Sequence, residues 1–248
     1  MFRRTKSRQV LMMMLALTAA TWALAGCSDD DPTAPIVSED PAQLRAIHLS
    51  PDAPGVDVFL NSAAQAAVSG LQFEQGTGYL NVDAGTYQID VSPAGRPANE
   101  SVLSVPGLQL SAGTSYTAVA YNSLGSITAL ALVDDESNLA SGSIRVRAIH
   151  TAPGVGQVDI WNIPMSGSPS MLYENVDFGA VGGYLDLPAD AYTLGFDVDN
   201  DANPDVVFAL PGLAAGTVAN VFATNDTGGS VFLLAQLPDG TVARIDAQ

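Results

Sequence analysis

The chain carries a long internal repeat, and this repeat restricts the possible folds more than any other feature of the sequence. Four short segments recur 102–105 residues apart: RAIH at 45 and 147, VDVF at 56 (as VDIW at 158), GYL at 78 and 183, and PGL at 106 and 211. A repeat of about 100 residues has the size of a compact domain and exceeds the 20–50-residue unit of a solenoid. We therefore expect two tandem domains of one kind.

Both copies show the residue alternation of β-strands. Tyr87, Ile89 and Val91 alternate with polar residues, a period of two that turns one face of a strand towards a core. Leu194 and Phe196 repeat this face in the second copy. Turn-forming segments separate such runs, and no segment beyond residue 27 has the 3.6-residue period of a capped helix. The pattern predicts an all-β chain of two tandem antiparallel β-sandwiches, immunoglobulin-like or a similar Greek key.

The N-terminus has the form of a secretory signal peptide. Residues 3–8 contain four basic side chains, residues 10–25 are almost entirely apolar, and small residues come directly before Cys27. The apolar run is shorter than the roughly 20 residues that a membrane-spanning helix needs. The closing residues LAGC resemble the bacterial lipobox, which implies cleavage before Cys27 and attachment of lipid to its sulfur. An uncleaved signal anchor is the alternative.

This N-terminus also predicts where in the cell the protein is located. We expect residues 1–26 to be removed and Cys27 to anchor the mature chain in the cell envelope, on the outer membrane, facing either the periplasm or the exterior. Residues 27–43 are then the lipidated cysteine and an acidic, flexible tether. The first domain is expected at 44–135, a linker at 136–143 and the second domain at 144–248. Cys27 is the only cysteine, so neither domain can hold a disulfide.

The net charge of the chain excludes anionic partners. Without residues 1–26 the chain has five basic residues against 26 acidic ones, a formal net charge of −21. Such a surface repels the phosphates of nucleic acids and anionic lipid headgroups, so the only membrane contact we expect is the lipid anchor itself. The simplest interpretation is the solvated acidic surface of an exported protein, and cations or basic proteins are the partners that it favours.

Longer stretches of the first copy resemble a known family. These stretches are RAIHLSPDAPGVDVFLN at 45–61, GYLNVDAGTYQIDVSPAG at 78–95 and SAGTSYTAVAYNSLGSITALALVDD at 111–135. They resemble the bacterial domain-of-unknown-function family 4397, closely over 44–135 and more loosely over 144–246, where the SPDAP motif has become APGVG. The resemblance implies exported, often tandem, sandwich-like modules on bacterial envelopes. It implies no reaction and no ligand.

The two histidines, His48 and His150, occupy equivalent positions of the repeat. A hydrolase with a nucleophile–base–acid arrangement would use one of them as its general base. However, Ser50 of the first copy is replaced by Ala152 in the second, and no Gly-x-Ser-x-Gly nucleophile elbow is present. We therefore expect each histidine to bond buried backbone groups at a strand end.

Two arginines recur together with two aspartates. Asp57 follows Arg45, and Asp159 follows Arg147, by 12 residues in each case. This recurrence predicts an ion pair or hydrogen-bonded clamp within each domain, Arg45 with Asp57 and Arg147 with Asp159, in preference to a ligand contact.

Recurring aromatic residues permit two interpretations. Tyr79 and Tyr184 are explained by core packing. Phe59 and Trp161 lie on the strand face opposite the valines, so they form either a second buried layer or an exposed aromatic patch. An exposed patch would favour recognition of a glycan or of a protein partner.

The second copy alone contains a dense acidic run. Asp197, Asp199 and Asp201 stand at alternate positions, and Asp205 follows four residues later. Calcium binds several oxygen ligands supplied by compact acidic loops of this kind. The glycine and the glutamate that complete an EF-hand loop are missing here, and the first copy has no comparable carboxylates. The run is either a calcium site local to the second domain or an acidic, solvent-exposed hairpin loop.

These features favour a non-catalytic envelope lipoprotein that displays two β-sandwich modules for binding or for surface structure. Its partner would be an unidentified protein or glycan, and no cofactor other than calcium is indicated. The alternatives are an envelope hydrolase that uses His48 or His150 and a purely structural spacer.

Overall fold

The computed structural model describes residues 40–199 and 201–248. The predicted signal peptide, Cys27 and most of the predicted tether therefore lie outside the described residues. Nearly all the regular structure of the described part is strand, and its helices are two three-residue 3-10 turns, Ala98–Glu100 and Leu124–Ser126. None of the helices in these residues is long and apolar enough to span a membrane.

Eight strands form the first sandwich. Their order is β4-β1-β7-β8 in one sheet and β3-β2-β5-β6 in the other. The strands are β1 (Ala42–Leu49), β2 (Val56–Leu60), β3 (Val68–Leu71), β4 (Leu80–Val82), β5 (Gly85–Pro93), β6 (Leu103–Leu110), β7 (Ser115–Tyr121) and β8 (Thr128–Asp134).

Nine strands form the second sandwich in the same order, with one strand added. One sheet is β12-β9-β15-β16-β17 and the other is β11-β10-β13-β14. The strands are β9 (Ser143–His150), β10 (Val158–Asn162), β11 (Ser170–Val176), β12 (Leu185–Pro188), β13 (Tyr192–Asp197), β14 (Val206–Leu210), β15 (Val218–Asn225), β16 (Val231–Gln236) and β17 (Val242–Asp246). The predicted all-β, two-sandwich architecture is thus confirmed.

Strand pairing is antiparallel except at one place in each sandwich. β1 pairs in parallel with β7, and β9 pairs in parallel with β15. In both cases the long connection between the paired strands runs through the opposite sheet, which permits the parallel arrangement. The arginine, the histidine and the hydrophobic residues of the RAIH motif lie on β1 and β9, so these central strands position most of the residues considered below.

Each sandwich has its own apolar core, built by the predicted alternation. Val56, Val58, Ile89 and Val91 are buried between the sheets of the first sandwich. Val158, Ile160 and Phe196 take the same role in the second, where Phe208 has no exposed surface. Full burial of a side chain of this size contributes roughly 1.5–3 kcal/mol, so each core stabilises its sandwich without a disulfide.

A third apolar cluster joins the two sandwiches. The sheet β4-β1-β7-β8, here called the first inner sheet, packs its second face against the sheet β12-β9-β15-β16-β17, the second inner sheet. The cluster contains Ile47, Leu49, Val119, Tyr121, Leu132, Ile149, Phe222, Phe232 and Leu234. The remaining two sheets are the outer sheets. Because both faces of each inner sheet are covered, the two sandwiches form one fused body within the described residues.

Candidate functional site

A buried polar cluster lies within the apolar contact between the inner sheets. At its centre is Asp134, the last residue of β8, whose side chain has no exposed surface. Its Oδ1 lies 2.6 Å from Nη2 of Arg147, and its Oδ2 lies 3.4 Å from Nη2 of Arg45. One carboxylate therefore binds two arginines, one from each sandwich.

The two arginines make matching contacts across the interface. Arg45 donates through Nη1 to the carbonyl oxygen of Leu237 in the second sandwich, at 2.7 Å. Arg147 donates through Nη1 to the carbonyl oxygen of Val133 in the first sandwich, at 2.9 Å. Each arginine thus fixes its own sandwich to the end of a strand in the other.

Neutral side chains complete the cluster. Thr117 accepts a hydrogen bond from Nε of Arg45 at 2.8 Å and donates to Oδ2 of Asp134 at 2.5 Å. Asn220 holds the corresponding place beside Arg147, accepting from its Nε at 2.8 Å and donating to Oδ1 of Asp134 at 3.1 Å. The buried charges therefore have the hydrogen-bond partners that their removal from water requires.

Tyr79 and Tyr184 lie over the two guanidinium groups rather than in a simple apolar core. The ring centroids are 4.6 Å from Cζ of Arg45 and 4.4 Å from Cζ of Arg147, respectively. The hydroxyl of Tyr79 also donates to Oδ2 of Asp134 at 2.6 Å. Burial raises the pKa of both hydroxyls, to about 12 for Tyr184, so both remain protonated donors.

The predicted arginine–aspartate clamps within each domain are wrong. Arg45 and Arg147 face the other sandwich from the inner sheets, whereas Asp57 lies on an outer sheet. Asp57 accepts hydrogen bonds from the backbone N–H groups of Gly70, at 2.7 Å, and Gly95, at 2.8 Å. Asp159 likewise accepts from the backbone N–H of Asn175, at 2.6 Å. The two aspartates therefore secure loops, and the arginines join the sandwiches.

The histidines are buried and bonded to backbone groups. Nε2 of His48 lies 3.2 Å from the carbonyl oxygen of Pro54, and Nδ1 of His48 accepts from the backbone N–H of Ser50 at 3.3 Å. His150 repeats both contacts with Gly156 and Ala152, at 2.9 Å and 3.4 Å. Burial lowers the pKa of both imidazoles, which favours the neutral form that this bonding requires. Each histidine thereby secures the loop that follows its strand.

Neither histidine meets a nucleophile in a cavity. Each sandwich encloses an apolar cavity of about 50 Å³ between its sheets, and His48 lines one of them while His150 lines the other. Among the described residues, no serine, threonine or cysteine lines either cavity. A cavity of this size and character suits no substrate larger than a few atoms.

Phe59 and Trp161 have different surroundings although they occupy equivalent positions. Phe59, on the first outer sheet, is buried, with 4% of its surface exposed. Trp161 is half-buried on the second outer sheet, between Met171 of β11 and Gly195 of β13 in the strand register. Of the two interpretations of these aromatic residues, the buried layer holds for Phe59, and a partly exposed surface holds for Trp161.

The acidic run forms a loop at the same outer face as Trp161. Asp197 ends β13, pairs in register with Asp159, and lies two residues beyond Gly195. A Cβ atom at Gly195 would lie 2.6 Å from Pro204, so the loop returns across the sheet at that point. The register of β10 and β13 thus brings Trp161 and the acidic run, 36 residues apart in sequence, to one surface.

Three of the four predicted aspartates come together. One carboxylate oxygen from each of Asp197, Asp199 and Asp205 lies within 4.8 Å of the others, whereas Asp201 is outside this group. The side chain of Asp201 accepts from the backbone N–H of Asn203 at 2.8 Å. Repulsion from Asp201, together with smaller contributions from the other carboxylates, raises the pKa of exposed Asp199. We call Asp197, Asp199 and Asp205 the aspartate group.

Comparison with known proteins gives one family match. Residues 42–161 match the family described as Domain of unknown function (DUF4397), which covers the first sandwich together with β9 and most of β10. That the second sandwich is a further copy of this family stays a prediction. A search of the curated proteins found no match.

A solved structure described as "Alpha-glucan binding by a streptococcal virulence factor" is similar to this chain at 13% identity. The similarity covers 77% of this chain and 95% of that chain, with a TM-score of 0.25. A similarity at this TM-score establishes neither a common fold nor a common ligand.

Proposed function

We propose that this chain is a non-catalytic lipoprotein of the bacterial cell envelope that presents two fused β-sandwiches as a binding module. Cys27 anchors it, and the outer face of the second sandwich is its binding surface. The observation that carries this proposal is that the aspartate group and the half-buried ring of Trp161 share one outer face of the second sandwich. The first sandwich, in contrast, has a buried Phe59 at the position of Trp161.

The chemistry of this face favours a ligand that offers hydroxyl or amino groups. Carboxylates accept hydrogen bonds from such groups, and an aromatic ring beside them provides an apolar contact for a sugar ring or a side chain. Both a glycan and a basic protein surface meet this description. The formal net charge of −17 for the full chain favours approach of a neutral or cationic ligand over an anionic one.

Calcium is the second candidate ligand of the same loop. The closeness of the three carboxylates favours it, because calcium takes oxygen ligands at 2.3–2.6 Å and neutralises the repulsion that raises the pKa of Asp199. Calcium bound there would place a positive charge on the same face as Trp161, and such an ion would bridge to the hydroxyl groups of a glycan.

The environment of the histidines supports a non-catalytic role over the hydrolase alternative. Both ring nitrogens of His48 and of His150 lie at hydrogen-bonding distance from backbone groups. A general base must instead have one nitrogen directed at a nucleophile that it deprotonates.

The first experiment tests display on the envelope. Protease is added to intact cells, and the mature protein is followed by blotting beside a periplasmic control protein. Loss of the protein while the control survives supports display on the cell surface and directs the search for ligands to external glycans and proteins. Protection until the outer membrane is opened supports a periplasmic role with partners inside the envelope.

The second experiment tests binding at the outer face. The fragment 40–248 is applied to a glycan array and to a panel of basic proteins, with and without calcium. We expect Asp199→Asn with Asp205→Asn to abolish the binding that the unaltered fragment shows. Glu100→Gln with Asp83→Asn removes two exposed carboxylates of the first sandwich and should leave binding unchanged. Equal binding by both double variants would reject this surface, and a complete lack of binding would favour the structural spacer.

A further inference from the structure

The two inner sheets differ at one edge. In the second inner sheet, β17 pairs antiparallel with β16, from Gln236 with Val242 to Phe232 with Asp246. In the first inner sheet, β8 occupies the place of β16 but is the terminal strand. Within residues 40–199 and 201–248, the first sandwich therefore has one strand fewer than the second.

β17 covers a specific part of the interface. Val242 packs onto the apolar cluster between the inner sheets and lies directly against Gly76. The guanidinium of Arg244 lies 3.6 Å from the ring centroid of Phe232 and forms an ion pair with Glu74. Ile245, on the other face of the strand, is buried in the core of the second sandwich. β17 thus fills the edge of the core of the second sandwich and also covers the loop at residues 72–79 of the first sandwich.

Among the described residues, no strand covers the corresponding loop of the second sandwich, which meets the first sandwich where Phe178 packs on Tyr121. Gly76 bridges to Ile47, and Val181 bridges in the same way to Ile149, so Val181 is the counterpart of Gly76. Phe178 packs edge-on against His150 as Phe73 does against His48. Val181 is 39% exposed and Phe178 is 37% exposed. These apolar side chains lie where a strand beside β8 would cover them.

The edge of β8 itself has little of the protection usual for a terminal strand. Charged residues, prolines or bulges normally prevent edge strands from pairing with other chains. β8 has the sequence TALALVD and pairs with β7 without a register shift. Val133 is 56% exposed, and the only charged residue of the strand, Asp134, is buried in the polar cluster. The exposed side chains of this edge are therefore apolar, and the bound carbonyl of Val133, which accepts from Arg147, lies near the end of the strand.

We propose that β8 binds an extended segment of a basic partner protein, which adds to the first inner sheet as a fifth strand. Strand addition supplies main-chain hydrogen bonds, and the side chains of alternate positions provide specificity. Exposed carboxylates stand next to these apolar residues in sequence: Glu136 lies two residues after β8, and Asp177 precedes Phe178. Basic side chains between the apolar ones of the added segment complement these carboxylates. A second copy of this acidic chain would instead bring like charges together. This site is separate from the aspartate group on the outer sheet.

β17 provides the probe for the test. A capped synthetic peptide with the sequence of residues 241–248, TVARIDAQ, is titrated against the protein while backbone hydrogen exchange is measured. We expect exchange to slow at Thr128–Asp134. Val133→Lys on β8 should weaken the effect about tenfold, because a charge is introduced beside the added strand. Leu80→Lys, at the opposite edge of the same sheet, should leave it unchanged.

Three outcomes would overturn the proposal. The first is unchanged exchange at β8 up to millimolar peptide, or an equal response in the two lysine variants. The second is binding of the Arg244→Glu peptide as tight as that of the unaltered peptide, which would reject the basic character of the partner. The third is a protein that sediments as a dimer without peptide and as a monomer after Val133→Lys, which would make a second copy the occupant of this edge. Thermal melting that is unchanged by Val133→Lys shows that the variant is folded.

Discussion

Arg147 and Asp134 form an ion pair that joins the two sandwiches, with 2.6 Å between Nη2 and Oδ1 and side chains that are 7% and 0% exposed. Asp134 belongs to β8 of the first sandwich and Arg147 to β9 of the second. Because Arg45 reaches the same carboxylate, Asp134 separates two buried cations that would otherwise repel each other. The aspartate is therefore the residue on which the contact between the sandwiches most depends.

Replacing this aspartate should destabilise the whole fused body. We expect Asp134→Ala to lower the free energy of unfolding by about 3–5 kcal/mol, because it leaves two arginine charges buried without an anion. Asp135→Ala is the matched control, since the adjacent Asp135 is 48% exposed and its ion pair with Arg145 contributes only about 0–1 kcal/mol. Denaturant unfolding measures both. Equal losses in the two variants would contradict the central role of Asp134.

The two sandwiches also meet where the loop that contains Gly240 approaches the loop that contains Gly78, and substitution of Gly240 tests this contact. Gly240 has a φ of +90°, and a Cβ there would lie 2.2 Å from the backbone nitrogen of Gly78 in the first sandwich. Gly216 has a φ of +86° and no atom within 4 Å of such a Cβ. Gly216→Ala should cost about 1 kcal/mol through backbone strain, and Gly240→Ala about 1–3 kcal/mol more through the clash. Identical melting temperatures for the two variants would show that the loops are not in contact.

Burial of the histidines predicts a specific dependence of stability on pH. Both pKa values are lowered in the folded state from a reference of 6.5, so the unfolded chain binds protons first as the pH falls. The stabilisation from neutral His48 and His150 is fully present above about pH 6.5 and is lost as the pH falls from there through the folded-state pKa. The measurement is unfolding between about pH 7.5 and pH 5. This interval lies above the pH range in which ordinary carboxylates titrate, so the histidines dominate the change in stability.

Variants without the imidazoles provide the control for this titration. His48→Gln with His150→Gln should be less stable at neutral pH, because the backbone groups of the two loops lose their partners. The same double variant should also show a flatter pH dependence over this interval. A slope as steep as that of the unaltered protein would mean that other groups cause the acid sensitivity.

The aspartate group predicts a response to calcium. If the ion binds only the folded state, its addition at about 100 times the dissociation constant stabilises the protein by about 2.7 kcal/mol. We expect calcium to raise the melting temperature and a chelator to lower it, with no response in Asp199→Asn combined with Asp205→Asn. Superimposable curves with calcium and with chelator would remove calcium as a ligand and leave the loop as a direct contact surface.

Much of the fold could be predicted from the sequence because its signals are local. Alternation places Ile89 and Val91 in the first core, where both are buried, and the repeat predicts a second sandwich of the same design. The inner sheets depart from alternation because both faces are covered. β16, with the sequence VFLLAQ, is buried at five of its six positions. Such continuous apolar runs are a signal that could have predicted the contact between the sandwiches.

The polar cluster could not be predicted in this way. Recurrence along the chain identified Arg45 and Arg147 as equivalent, but it gives no information about their partners, and the nearby aspartates proved to bind loops. Asp134 has no acidic counterpart in the second copy, because Pro238 follows the carbonyl that Arg45 binds. A contact made by a single residue near a pseudo-symmetric interface leaves no repeat in the sequence. Only the packing of the inner sheets brings Asp134 between the arginines.

The central proposal, that Cys27 anchors two fused sandwiches outside the cytoplasm, is tested most directly by mass spectrometry of the N-terminal peptide of the protein purified from its native membrane. The proposal predicts that the chain begins at Cys27, with diacylglycerol on the sulfur and an acyl group on the new amino terminus. A chain that retains residues 1–26, or one that begins at or after Cys27 without lipid, would contradict it.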